Sequence, residues 1–140
     1  MVDPADLEII SLPTTGVVGF REDSIRVMAR MQQIDADQVA AAFRFRSAFM
    51  TVLDAKHESM GFREWQSPRG ITAALAERRL TAQEDLDAAR KLLGAYSYAL
   101  MGRICGEGYS MRDLFNTRRK RDTHTDILHI ALSQLGKLWL

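Results

Sequence analysis

Apolar residues recur at spacings of three and four along most of this chain, and that period predicts helices. From about Asp23 or Ser24 to Gln32, the residues Ile25, Met28, Ala29 and Gln32 share one face, while Arg26 and Arg30 lie one turn apart on the other. A second helix opens at Asp35. Its carboxylate suits the free amides of a first turn, and Gln38, three residues on, can return the bond as a capping box, with Ile34 and Val39 as a hydrophobic staple. The pattern then runs through Val39, Ala42, Phe43, Arg46, Ala48, Phe49 and Val52 to about Lys56. Apolar residues cover most of its girth, which marks it as the central helix, with Phe49 on its most apolar face.

Residues 57–70, HESMGFREWQSPRG, read as a loop because Gly61, Pro68 and Gly70 break helix. A short helix over residues 71–80, ending at Arg79, is expected next. Thr81 with Glu84 forms a second capping box, opening a helix through Leu86, Ala89, Leu92 and Leu93 that Gly94 ends or kinks. A further apolar helix spans about Ser97 to Cys105 and stops at Gly106-Glu107-Gly108. Ser110 with Asp113 is a third capping box, for a short helix from Met111 to Phe115. A polar connector, Asn116 to Arg121, leads to a final helix from near Asp122, with Ile127, Ile130, Ala131, Gln134, Leu135 and Leu138 on its apolar face. Residues 1–20, interrupted by Pro4, Pro13 and Gly16, read as an extended arm. The expected architecture is all-α: a single helical domain over residues 21–140, its helical N-terminal half packed on a C-terminal helix-turn-helix at about 97–139.

Charge sharpens this picture. The net charge of 140 residues is only +1, yet residues 1–20 hold Asp3, Asp6 and Glu8 and no base. Residues 100–140 hold seven bases against four acids. An acidic head and a basic tail point to a polyanionic partner at the tail. The bases concentrate in Arg118-Arg119-Lys120-Arg121, followed by Thr123, His124 and Thr125, with Arg112 on the preceding short helix. In a helix-turn-helix the N-terminal end of the last helix enters the major groove. Arg and Lys there neutralise phosphates or bond guanine, and Thr and His suit base edges. The candidate DNA-binding residues are therefore Arg112, Arg118, Arg119, Lys120, Arg121, Thr123, His124 and Thr125. A solvated loop is the plainer account of such a basic run.

Other chemistries find little support. Cys105 is the single cysteine, so no intrachain disulfide forms, and its apolar setting suits an inert core thiol and a cytoplasmic location. His57, His124 and His129 lack metal-ligand spacing. Glu58 and Glu64 beside His57 read as a solvated loop rather than an acid–base pair. Phe43, Phe45 and Phe49 read as core rather than as a stacking platform, and Trp65 as an anchor for the loop or a partner. Arg44 and Arg46 give the second helix a wet face or one that meets an acidic partner. The N-terminus lacks the basic start of a signal peptide, and no apolar run would span a bilayer. No enzyme activity, cofactor, metal, small-molecule substrate or membrane is expected.

Residues 97–139 resemble the helix-turn-helix of sigma-factor region 4 and LuxR-type regulators. Gly108-Tyr109-Ser110 with Leu114 sits in the frame where a Gly-x-Ser step opens the middle helix, and Ala131 and Leu135 match later positions. The connector Asn116-Thr117-Arg118-Arg119-Lys120 departs from that pattern, where an apolar and a small turn residue stand. Residues 22–139 also resemble small α-proteobacterial phage and gene-transfer-agent proteins, through Cys105-Gly106-Glu107-Gly108-Tyr109-Ser110-Met111-Arg112-Asp113-Leu114. These resemblances imply a sequence-specific double-stranded DNA-binding protein, regulatory or phage-derived, acting as a homodimer or higher homo-oligomer. They equally suit a small terminase subunit that recognises DNA for packaging. A helical protein-interaction module with a degenerate helix-turn-helix is the third possibility.

Overall fold

A computed structural model describes residues 23–60 and 72–140. Among them the chain is almost entirely helical, with no strand. The expected arm over residues 1–20 and the loop from 61 to 71, with Trp65 and Glu64, lie outside the described residues.

Helix α1 (Ser24–Arg30) is capped by Asp23, whose carboxylate accepts the Ile25 amide at 2.9 Å. Helix α2 (Ala36–Met60) starts with the expected capping box. Asp35 accepts the Gln38 amide at 2.8 Å, and the Gln38 side chain accepts the Asp35 amide at 2.9 Å. It extends beyond Lys56 to Met60, so the first residues of the expected loop are its last turn. Nothing in His57-Glu58-Ser59-Met60 breaks a helix, and Glu58 pairs with Arg79 of the next helix.

Helix α3 (Ala73–Leu93) replaces the two helices expected over 71–93. Thr72, not Thr81, is the N-cap, its hydroxyl accepting the Leu75 amide at 3.1 Å. The physical reason lies in the inward face. Leu75, Arg79, Ala82, Leu86, Ala89 and Leu93 are all buried or half-buried, at alternating steps of four and three. Breaking the helix at Thr81 would have thrown the second half of that stripe off the core. Thr81 and Glu84 lie exposed on the outer face.

Gly94 ends α3 at φ +85°, a conformation that favours glycine, and α4 (Ala95–Met101) begins at once. Helix α4 then widens into a π-turn, Gly102–Gly106, within the stretch expected to be regular helix. Helix α5 (Met111–Leu114) opens with the expected capping box, Ser110 and Asp113 bonding each other's amides.

Helix α6 (Arg118–Trp139) starts four residues earlier than expected. Thr117 is its N-cap and accepts the Lys120 amide at 3.3 Å. The basic run is thus the first turn of the helix, not a connector. Its buried face also differs from expectation. His124, Leu128, Ala131, Leu132 and Leu135 are buried, whereas Ile130 and Leu138 are 60% and 45% exposed and Gln134 is exposed. Two stripes at helical spacing compete on α6, and the one holding Leu128 and Leu132 faces α2.

Helix α2 is the hub. It packs against α1, α3, the π-turn and α6. Ala41, Ala42 and Ala48 let neighbours approach closely, and Phe45 fills the centre at 0% exposure. Leu86 and Ala89 of α3, Leu100 and Met101 of α4, Ile104 and Cys105 of the π-turn, and Leu128, Leu132 and Leu135 of α6 complete the same core. Phe49 is only half-buried, at the edge of that core. Arg44 forks onto Asp85 of α3 at 2.9 and 3.0 Å and lies 4.8 Å over the Trp139 ring of α6. Arg46 pairs with Asp23. Both α2 arginines therefore meet acids of this same chain.

Burial pushes the Cys105 thiol up to about 12, so it should resist thiol reagents at pH 8 in the native state and label promptly in denaturant. Fast native labelling would show that the π-turn opens. Burial also pushes the Asp23 carboxyl up, but the Arg46 hydrogen bond, the Ile25 amide and the charges of Arg46 and Arg26 reverse this and hold it below its ordinary range. A lowered folded pKa contributes stability above the unfolded value of about 3.9 and loses it as pH falls through that value toward the folded one. Urea midpoints should therefore drop below pH 4, and Asp23→Asn should flatten that drop. An Asp23→Asn variant with an unchanged acid limb would refute the assignment.

Candidate nucleic-acid interface

The π-turn, α5 and the start of α6 form one corner of the molecule. Gly108 reverses the chain at φ +86°, Ser110 restarts it, and Phe115 turns it again into α6. Phe115 is buried, and its ring stacks on the His124 ring with centroids 3.9 Å apart. His124 is 7% exposed. Its Nδ1 lies 2.7 Å from the Lys120 carbonyl, and its Nε2 meets the Tyr96 hydroxyl of α4. With Nδ1–H donating to the carbonyl, Nε2 is left to accept from Tyr96. His124 therefore pins α6 to α4 and to the turn. That role uses both ring nitrogens and leaves none for a base edge.

The other candidate residues divide by exposure. Arg112, Arg118, Arg119, Lys120 and Thr123 are exposed. Arg118 lies 3.8 Å from Asp122 in a loose pair with both side chains mostly in water. Arg121 is half-buried and donates to the Phe115 carbonyl at 3.2 Å, bracing the turn. Thr125 is half-buried and donates to the Arg121 carbonyl at 2.7 Å; Thr123 donates to the Arg119 carbonyl at 3.0 Å. The corner thus separates into a supporting set (Tyr96, Phe115, Arg121, His124, Thr125) and an outward cationic tip (Arg112, Arg118, Arg119, Lys120).

No family model, curated protein or solved structure matches this chain. The chemistry of the corner therefore rests on its own residues.

Four cations, Arg118 to Arg121, fill the first turn of α6, with no acid among them. A helix N-terminus carries unpaired amides and partial positive charge, so cations there are disfavoured by about 0.3–1 kcal/mol each at low salt. The first turns of α2 and α5 carry Asp37 and Asp113, and those of α1, α3 and α4 carry no acid. The tip gathers positive charge where helix formation alone would place negative charge.

Tyr96 and Phe115 escaped the sequence reading as site-building residues. Tyr96 stands 28 positions from His124, and no local pattern links them. Elsewhere, His57 and Glu58 are exposed at the end of α2, and Glu58 is engaged by Arg79. Among the described residues, no three His, Cys, Asp or Glu side chains converge on a metal-sized site, and no helix is long and apolar enough to cross a membrane.

Proposed function

We propose that this chain binds double-stranded DNA through the tip formed by Arg112, Arg118, Arg119 and Lys120. The observation that carries this reading is the exposed cationic first turn of α6, placed against the helix's own electrostatic preference. A polyanion relieves that conflict, because phosphate oxygens accept from the free amides and offset the guanidinium charges. The resemblance of residues 97–139 to a helix-turn-helix supports the same face, since the recognition helix of that motif presents its N-terminal end. Sequence readout falls to Thr123 at the exposed start of α6. A regulatory role follows from the same resemblance, and a phage-derived one from the resemblance of residues 22–139.

The test is binding of random and selected duplexes across a salt series. Four phosphate contacts predict a slope of log K against log salt of about −3.6. Absent binding at low salt, or a slope near zero, would remove the reading. Sedimentation of the free chain separates a dimeric regulator from a ring-forming packaging subunit. A second reading, a protein-interaction module, is favoured by exposed Ile130 and Leu138 on the outer face of α6. It would lead if duplex binding failed.

A further inference from the structure

The π-turn Gly102–Gly106 is gripped from outside its own helix. The Glu107 amide reaches back five residues to the Gly102 carbonyl at 2.8 Å, and the Tyr109 amide bonds the Arg103 carbonyl at 3.0 Å. The carbonyls of Ile104 and Cys105 are taken by side chains instead. Ser24 Oγ, buried at the start of α1, donates to Ile104 at 2.8 Å. Arg46 Nε, on α2, donates to Cys105 at 2.6 Å, while its far end pairs with Asp23. One turn along α2, the Phe49 ring lies flat on Gly106, so close that a Cβ there would come within 2.7 Å of it.

The number of residues in the last turn of a helix sets the direction in which the chain leaves it. One residue more or fewer rotates the continuing chain by about 100°. Arg112 and the first turn of α6 both come shortly after this turn. Apolar burial of Ile104 and Cys105 holds the segment in the core but is non-directional. The two side-chain hydrogen bonds are directional and hold the carbonyls of Ile104 and Cys105, which the end of the helix leaves without amides of the next turn.

We infer that Ser24 and Arg46 are positioning residues for the cationic tip, fixing the π-turn and through it the placement of Arg112 and α6's first turn. The affinity arm of the test rests on the DNA-binding reading; the distance arm stands without it. Ser24→Ala and Arg46→Lys would be compared with Leu86→Ala, a core truncation in α3 away from the turn. All are measured well below their melting midpoints, where circular dichroism shows full helicity. The two clamp variants should lose about tenfold in duplex affinity with a shallower salt slope, because the phosphate contacts no longer form together. Leu86→Ala should bind like the wild type however much its midpoint falls. Clamp variants that bind like Leu86→Ala would overturn the inference.

The second arm reads geometry alone. Spin labels at Ala40→Cys and Arg112→Cys, in a Cys105→Ala background, should give one narrow distance distribution. Adding Ser24→Ala should broaden or split it, and Ser24→Ala serves even if Arg46→Lys does not fold. An equally narrow distribution would overturn the clamp. A wild type that fails to bind duplex while Ser24→Ala broadens the distances would remove the DNA-binding reading and leave the clamp standing.

Discussion

Phe45→Ala should cost about 3–5 kcal/mol of stability, the range for removing a fully buried aromatic ring. Phe45 is 0% exposed, stacks on Phe49 at 6.2 Å between centroids and receives the Tyr98 ring edge-on at 5.8 Å. Around it are alanines of α2, which have no side-chain length with which to close the hole. A domain of this size holds roughly 5–15 kcal/mol in all, so the loss is a large share of it. Phe49→Ala should cost clearly less, because that ring is half-buried and water can fill part of its space. Urea midpoints of the two variants, with m-values checked for two-state behaviour, measure the difference. Equal losses, or a larger one at Phe49, would show that the centre of the core has been misplaced.

The reversal of Phe45 and Phe49 illustrates what a helical pattern conveys. Both residues lie on the apolar side of α2, one turn apart. Which of them sits deepest depends on where α3 and the π-turn cross it, and that is a tertiary property. The same limit explains α6. Its period was legible, but two stripes satisfied it, and only contact with α2 selects Leu128 and Leu132 over Ile130 and Leu138. Capping boxes were legible where nothing competed, at Asp35–Gln38 and Ser110–Asp113. At Thr81–Glu84 the same motif lost to an unbroken inward stripe, since a local cap is worth about 1 kcal/mol and the stripe buries several side chains. The π-turn left no local signature, and the side chains that hold its last carbonyls, Ser24 and Arg46, stand 80 and 59 residues away.

The candidate site was half legible for a related reason. The placement of charge along the chain located the tip, and its exposed residues keep Arg112, Arg118, Arg119 and Lys120 from the expected set. His124, Arg121 and Thr125 became supports because helix α6 begins at Arg118. That start places His124 two turns in, facing Phe115 and Tyr96. A start at Asp122 would have left it in the first turn.

Replacing Arg118 and Arg119 together with Ala should weaken duplex binding by roughly 10–100-fold and lower the salt slope by about two, one for each lost phosphate contact. The same variant should be more stable, not less, when free. Removing two cations from the positive end of α6 returns about 0.3–1 kcal/mol each at low salt. The Arg118–Asp122 pair offsets little of this: it is exposed, 3.8 Å long, and has its base N-terminal to its acid, the weaker order on a helix. Thr117 keeps its capping bond, and Arg121 keeps its hold on Phe115. A net gain of about 1 kcal/mol should raise the thermal midpoint by a few degrees. Added sulfate should raise the wild-type midpoint more than the variant's, because the anion fills the role of the missing acids. A surface loop of idle charge gives none of these signs together. Loss of binding with a lower midpoint would mean that the two arginines hold the fold. Unchanged binding with an unchanged midpoint would mean that the tip is neither strained nor used, and the outer face of α6 around Ile130 would then be the surface to test.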